Sequence, residues 1–328
     1  MYFCKQTYSI DTMSGSKKTV HVIINPASGT SSKKDLPQKF AAELDSAHFD
    51  VRCFTTKYAG QGDELARQAI DEQVDYVIAV GGDGTVNEVA RALIGSNTAL
   101  GIIPCGSGNG LARDLFIPVS VDKALKIIKE EHVIDIDYGI ADGHIFFCTC
   151  GMGFDALVSE RVAGFKKRGS LMYLKSMLEV FVEQHPETYE IIYAGEKLKV
   201  KAFVVNCANT SQYGYNAYIA PHASTQDGLM NISILKPLTI LDAPITTIQL
   251  FAKNLYANKK LIHVLTKDVT IIREKEGIIH IDGDPIPAGK EINVQIVHRG
   301  LKVLAPTTSV KQLSDPFDVL SSILTRWV

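Results

Sequence analysis

Apolar runs alternate with amphipathic stretches through the first 137 residues. Val20-His21-Val22-Ile23-Ile24, Val77-Ile78-Ala79-Val80 and Gly101-Ile102-Ile103 are short and almost uninterrupted in apolar character. Such runs are the mark of strands covered on both faces. The pattern predicts strands over 20–25, 49–55, 76–80, 99–103 and 133–137. Between them, apolar residues recur at helical spacing, as in Asp63-Glu64-Leu65-Ala66-Arg67-Gln68-Ala69-Ile70. Helices are predicted over 35–47, 62–73, 85–95, 108–115 and 121–131. Regular alternation of the two predicts a parallel α/β sheet.

After Tyr138 the texture changes. Short β-rich runs are predicted at 144–150, 189–194, 198–208, 229–235, 261–265, 269–273, 277–282, 290–297 and 301–304. Turn signals such as Ala194-Gly195-Glu196 and Asp282-Gly283-Asp284 separate some of them. Two helical stretches interrupt, near 169–184 and 239–257. The expectation is a mostly antiparallel β-sandwich as a second domain. The division predicted is 18–137 for the α/β domain and 138–304 for the β-rich domain.

Three predicted strands end in loops of small residues. Asn25-Pro26-Ala27-Ser28-Gly29 follows the first. Gly81-Gly82-Asp83-Gly84-Thr85-Val86-Asn87-Glu88 follows the third, and Pro104-Cys105-Gly106-Ser107-Gly108-Asn109-Gly110 the fourth. Loops at the C-terminal ends of parallel strands share one sheet edge, where ligands bind. Glycine lets backbone approach a ligand closely, and the N–H groups opening a helix favour phosphate. Asp83 adds a carboxylate where phosphate charge and a divalent ion would meet. The pattern is neither a P-loop nor the spaced glycine fingerprint of dinucleotide folds.

In that order the three motifs resemble the diacylglycerol kinase catalytic domain family, which includes bacterial lipid kinases, sphingosine kinases and ceramide kinases. The resemblance continues through Gly151-Met152-Gly153-Phe154-Asp155-Ala156, Ala220-Pro221-His222-Ala223 with Asp227-Gly228-Leu229, and Ile281-Asp282-Gly283-Asp284, so it runs from about Lys18 to about Ala305. It implies the same two domains, with the segment 305–328 packing back on the first. It also implies ATP and Mg²⁺ as cofactors and a membrane lipid as phosphate acceptor.

Carried over residue by residue, Asp83 belongs to the catalytic signature and would meet metal. Asn25, Ser28, Gly81, Gly82, Gly84, Thr85, Ser107, Gly108 and Asn109 would contact nucleotide. Glu88 would reach the ribose or cap a helix. Asp284 occupies the place where the family usually has a Glu proposed to deprotonate the lipid hydroxyl; as a residue it is also an ordinary hairpin turn. Asp155 would face the acceptor headgroup or cap a helix, and Asp227 would hold a structural Mg²⁺. Asn109-Gly110 stands where many bacterial members have Asn-Asp, nearer the sphingosine and ceramide kinase form, and Gln226 replaces an acidic residue beside Asp227.

Composition narrows the setting. A net charge of −2 leaves no basic footprint for nucleic acid. No run of eighteen apolar residues reads as a membrane span. Met1–Ser16 lacks a signal-peptide core and reads as a leader, with Met13 an alternative start. Cysteines at 4, 53, 105, 148, 150 and 207 form no metal-ligand spacing, and Cys148 and Cys150 are expected on one face of one strand, packed in the core. The expectation is a reduced, cytoplasmic protein in peripheral contact with membrane, a homodimer being compatible. Lys166-Lys167-Arg168 is either a solvated loop or a dock for anionic headgroups. Leu171 through Phe181 either lines an acyl-chain cavity or packs in the core. The function predicted is an ATP-dependent lipid kinase; the alternatives are an NAD kinase and a catalytically silent lipid- or nucleotide-binding regulator.

Overall fold

The computed structural model describes residues 17–29, 33–164, 170–183 and 185–307. Lys166–Arg168 and nearly all of the 305–328 segment therefore lie outside the described residues. The first domain runs β1 (Lys18–Ile24), α1 (Leu36–Glu43), β2 (Phe49–Thr55), α2 (Gln61–Asp71), β3 (Tyr76–Gly81), α3 (Asp83–Leu93), β4 (Ala99–Pro104), α4 (Gly110–Asp114) and α5 (Val121–Glu130). Strands β2, β1, β3 and β4 pair in that order, all parallel. Every residue of β3 and β4 is buried. That is why these segments read as unbroken apolar runs: side chains on both faces are covered. Helix α1 stops short of its predicted end because Asp45 makes a turn, its carboxylate accepting the Ala47 N–H at 2.9 Å.

After α5 come β5 (Val133–Ala141), which lies across the predicted division at 137, and then β6 (His144–Phe146), β7 (Thr149–Gly153), α6 (Phe154–Ala163), α7 (Ser170–Glu183), β8 (Glu187–Tyr193), β9 (Glu196–Ala202), β10 (Val204–Ala208), β11 (Met230–Leu235), α8 (Asp242–Phe251), β12 (Leu261–Thr266), β13 (Asp268–Arg273), β14 (Gly277–Ile281), β15 (Asp284–Ala288) and β16 (Glu291–Leu304). One antiparallel sheet has the order β12-β11-β10-β7-β14-β15. It faces β16, β13, β8 and β9 across a core holding Phe146, Met152, Tyr189, Ile232, Ile271 and Ile292. This is the expected β-sandwich.

Several boundaries differ from the sequence expectation for identifiable reasons. The run 144–150 is two strands, because the Asp282 carboxylate takes the N–H groups of Phe147, Cys148 and Thr149 out of the ladder. Cys148 consequently joins the first domain's core and Cys150 the second's, rather than sharing one face. Both are buried, and burial pushes both thiols up. The run 198–208 also breaks, at Phe203, where the chain leaves β9 in one sheet for β10 in the other. Helix α6 was not predicted.

The two domains share a ribbon. β16 is one strand where two were predicted, and β5 pairs with it antiparallel along its length. The lower half of β16 lies beside β13, and Val303 lies beside Leu100 of β4. A bulge at 298–300 joins the halves. Buried Asp137 satisfies it, accepting from Arg299 N–H at 2.7 Å and His298 Nδ1 at 2.8 Å. The same carboxylate accepts the Gly228 N–H at 2.7 Å, which ties down the 225–228 loop.

Candidate active site

The three glycine-containing loops meet at the C-terminal edge of the parallel strands. The Asn25 amide donates to Thr85 Oγ1 at 2.9 Å, joining the first loop to the second. The Cys105 N–H donates to Gly81 O at 2.7 Å, joining the third to the second. A Cβ on Gly106 would lie 2.6 Å from Gly82 Cα, and one on Gly29 would lie 2.2 Å from Cys105 O. Only glycine allows backbone to pack against backbone at these two points.

Asp83 opens α3, and its carboxylate accepts from Asn109 N at 2.8 Å and Gly110 N at 2.7 Å. It therefore caps the start of α4 and fixes the third loop against the second. The first intrahelical bond of α3 runs from Val86 N to Gly82 O at 3.0 Å. The N–H groups of Asp83, Gly84 and Thr85 precede it, so they have no partner within the helix and point to the loop edge. Ser28 donates its hydroxyl to Asn25 O at 3.1 Å. Below that loop, the buried Lys33 ammonium donates to Ser28 O. Gly108 passes so close to Asp83 that a Cβ would come 2.9 Å from Asp83 Oδ2. Arg113 Nε in turn donates to Gly108 O at 2.9 Å.

Glu88 reaches to the neighbouring helix α2. Its two carboxylate oxygens accept from Gly60 N at 2.9 Å and Gly62 N at 3.2 Å, at the start of α2. It caps a helix, though a different one from that which carries it.

The second domain reaches the same edge at several points: Arg113 Nη1 donates to Asn216 Oδ1 at 3.4 Å, Ser211 N and Oγ donate to Asp114 Oδ1 at 2.8 and 2.6 Å, and a further bond links α3 to the β14–β15 turn. Asn87, one turn after Asp83, donates to Asp282 Oδ2 at 2.9 Å. Asp282 sits at φ +49° in the β14–β15 turn, two residues before Asp284. Its carboxylate collects four donors: Asn87 and the N–H groups of Phe147, Cys148 and Thr149 at 2.8–3.0 Å. Burial pushes the Asp282 carboxyl up, and these four bonds pull against that. Asp284 itself is exposed at the start of β15.

A second polar cluster lies behind the turn. Asp155 Oδ2 accepts from Asn206 at 3.1 Å and Tyr213 Oη at 3.0 Å, and His280 Nε2 lies 3.1 Å from it. Gly151 makes room for it, since a Cβ there would lie 2.2 Å from Asp155 Oδ2. Asp155 is largely buried, and its other oxygen accepts the Ala156 N–H at 2.9 Å in the first turn of α6, whose N-cap position is Gly153. Tyr213 opens a loop in which Gly214, Tyr215 and Asn216 all have positive φ. That loop lies over Gly108, with a Gly214 Cβ 3.2 Å from Gly108 O. Asp227 is exposed, and its carboxylate accepts its own loop's Leu229 N–H at 2.9 Å. Among the described residues no group of three or more His, Cys, Asp or Glu side chains gathers as a metal cage.

Sequence reasoning missed Asn87, Asp282, His280, Tyr213 and Lys33. For Asn87 a signal existed: it lies four residues after Asp83, on the same helix face. Asp282 is marked as half of an Asp-Gly turn but not as an acceptor, and His280, Tyr213 and Lys33 carry no local mark.

A parallel α/β layer whose phosphate-type loops face an antiparallel β-sandwich defines a two-domain kinase fold of the NAD-kinase-like type. Residues 19–141 match the diacylglycerol kinase catalytic domain, and residues 148–305 match the YegS C-terminal NAD kinase β-sandwich-like domain. The chain thus carries a diacylglycerol kinase catalytic domain followed by a YegS-type C-terminal domain. A diacylglycerol kinase of Bacillus subtilis (strain 168) is 26% identical over 306 residues, covering 91% of this chain and 100% of that protein. Among solved structures, a diacylglycerol kinase from Bacillus anthracis str. Sterne superposes with a TM-score of 0.67 at 21% identity, over 89% of this chain and 98% of that one. An NAD kinase from Archaeoglobus fulgidus in complex with ATP superposes with a TM-score of 0.53 at 13% identity, over 92% of this chain and 99% of that one. At these identities the two structures speak to the fold alone.

Proposed function

We propose that this chain transfers the γ-phosphate of ATP to a hydroxyl of a membrane lipid of diacylglycerol or sphingoid type. One observation carries the reading: Asn87 and Asp282 bond at 2.9 Å across 195 positions of sequence, bringing the Asp284 turn to the edge that Asp83 occupies. Phosphoryl transfer asks for positioned phosphates, charge neutralisation and an oriented nucleophile. The N–H groups at Gly81–Thr85, with Asn25, Ser28, Ser107, Gly108 and Asn109 around them, would hold the phosphates.

Mg²⁺ binds few carboxylates and arrives largely on substrate phosphates. Asp83 fits that role. Two backbone N–H groups anchor it, each oxygen keeps a further lone pair, and glycine leaves the space before it open. Asp227 would be a separate, single-carboxylate contact. When bound, the ion neutralises phosphate charge. Asp284 would accept the hydroxyl proton as the lipid oxygen bonds to the γ-phosphorus and the bond to ADP breaks. Glu88 enters the reading through α2, whose first turn its carboxylate holds. Such an enzyme would work at a membrane surface in peripheral contact; no helix among the described residues is long and apolar enough to cross one.

The test is a labelled-ATP assay against diacylglycerol, sphingoid bases, ceramide, monoacylglycerol and NAD. One lipid class should be phosphorylated, and Asp83→Asn should lose about 10³-fold or more. Asp284→Asn should lower kcat about 10²–10⁴-fold with nucleotide affinity unchanged, and Asp284→Glu should retain activity. A full-speed Asp284→Asn hands the proton to Asp83. The fold likeness to an NAD kinase makes NAD the informative competitor: phosphorylation of NAD and of no lipid overturns the proposal, and turnover of nothing favours a silent binding protein.

A further inference from the structure

Large apolar side chains lie open to solvent on and just before α8. Ile240, Leu241, Ile245 and Ile248 are 74%, 85%, 62% and 65% exposed. From Ala243 to Ala252 the chain carries no charged side chain. An exposed apolar ridge of this kind marks a surface that another phase or molecule covers. Lys236 and Lys259, close in sequence on either side of it, are exposed and cationic, while the Lys253 ammonium turns inward over the Tyr218 ring, 4.5 Å from its centroid. The carboxylate at the helix start, Asp242, is paired with Lys260 at 2.6 Å.

The inner side of α8 is packed against the candidate active site. Leu250 packs in one cluster with Tyr213, Ile219 and Leu255, and its carbonyl accepts the Tyr218 N–H at 2.9 Å. Tyr213 is the residue that bonds Asp155, and its loop lies over Gly108. One helix thus joins an apolar outer face, flanked by two lysines, to the roof of the phosphate loops.

We infer that α8 and the Ile240-Leu241 lead-in form the face that docks this protein on anionic membrane lipid, the ridge entering the headgroup layer and the lysines meeting its charge. Apolar residues on one side of a helix with basic residues beside them suit an interfacial position. A second copy of the chain fits less well, because a two-fold contact would set the flanking lysines against their own copies. The inference rests on the membrane-lipid acceptor proposed above and deepens it by giving the docking surface.

The test uses the full chain and sedimentation with vesicles of phosphatidylcholine, with and without phosphatidylglycerol. Leu241→Ser/Ile245→Ser/Ile248→Ser should lower partitioning at least about tenfold. Lys236→Glu/Lys259→Glu should weaken partitioning only to vesicles containing phosphatidylglycerol, an effect that fades at high salt. Both variants should keep the wild-type melting temperature and wild-type turnover of a short-chain diacylglycerol monomeric in water. Unchanged partitioning of the triple variant overturns the inference, and Ile248→Ser alone provides the same comparison if the triple variant does not fold. A wild-type dimer that ignores vesicles, and that the triple substitution converts to monomer in light scattering, assigns the ridge to a second copy instead. Weakened vesicle binding without phosphorylation of any lipid leaves the docking face standing and removes the kinase reading. Turnover of the short-chain acceptor with unaltered vesicle binding does the reverse.

Discussion

The Asp282 carboxylate is one joint between the two domains, and replacing it with Asn measures what that joint is worth. Asn tolerates the left-handed backbone at φ +49°, so the substitution isolates the charge and the acceptors. Its Oδ1 can keep the N–H groups of Cys148 and Thr149, now bound to a neutral acceptor. Its Nδ2 faces the Phe147 N–H, which loses its partner, and the Asn87 amide, which must turn over to accept. A hydrogen bond to a charged group is worth about 1.5–3 kcal/mol, a neutral one about 1, and an orphaned donor costs about 1–3. Against these losses, the desolvation cost of the buried carboxylate is returned. The balance is a destabilisation of about 3 kcal/mol.

The shared β5–β16 ribbon should make the domains unfold together. At about 2.1 cal/mol/K per residue, that balance lowers Tm by about 5 °C. Asn87→Ala removes a single donor and should cost about 1 kcal/mol. Scanning calorimetry of both single variants and the double variant gives the coupling between the two residues directly. An Asp282→Asn protein as stable as wild type, or full additivity in the double variant, would refute the account of the joint. Turnover should fall with stability, because the same carboxylate positions the Asp284 turn.

Glu88→Gln should lower Tm by about 2 °C through the weakened α2 start while leaving the KM for ATP alone; a raised KM at unchanged Tm would put Glu88 on the nucleotide instead. Gly106→Ala inserts a methyl 2.6 Å from Gly82 Cα, so binding of a fluorescent ATP analogue should weaken at least about tenfold; an unaltered Kd would mean that the second and third loops need not touch. Hydrogen bonds from Lys260 and then from Thr239 hold the Asp242 carboxyl down to about 2. Its folded pKa lies below the unfolded value near 3.8, so its contribution to holding the start of α8 is full above that value and is lost as pH falls toward 2. Lys260→Met should move the Asp242 titration upward by NMR, and an unmoved midpoint would show that the lysine is not the cause.

Along the chain itself, periodicity determined the parallel sheet. Strands buried on both faces must be continuously apolar, as 76–81 and 99–104 are, and no tertiary information is needed to see it. The loops that end them were legible for a related reason: glycine, serine and asparagine cluster where backbone must turn and approach a ligand. The ends of β6 and β7 were not legible. They are set by a carboxylate more than 130 positions away, which withdraws three N–H groups from the ladder. The same contact divides Cys148 from Cys150 between two cores. Continuity of β16 through its bulge depends on buried Asp137, which looks in sequence like one more polar residue of a strand. Glu88 shows the limit on the site: its type and spacing allow a ribose contact or a cap, and only the arrival of Gly60 and Gly62 from α2 gives its oxygens their partners. Local pattern decides which segments become strands and helices, because it reports which side chains must leave water. It is silent on which distant polar group meets which, because such a bond depends on the path of the whole chain.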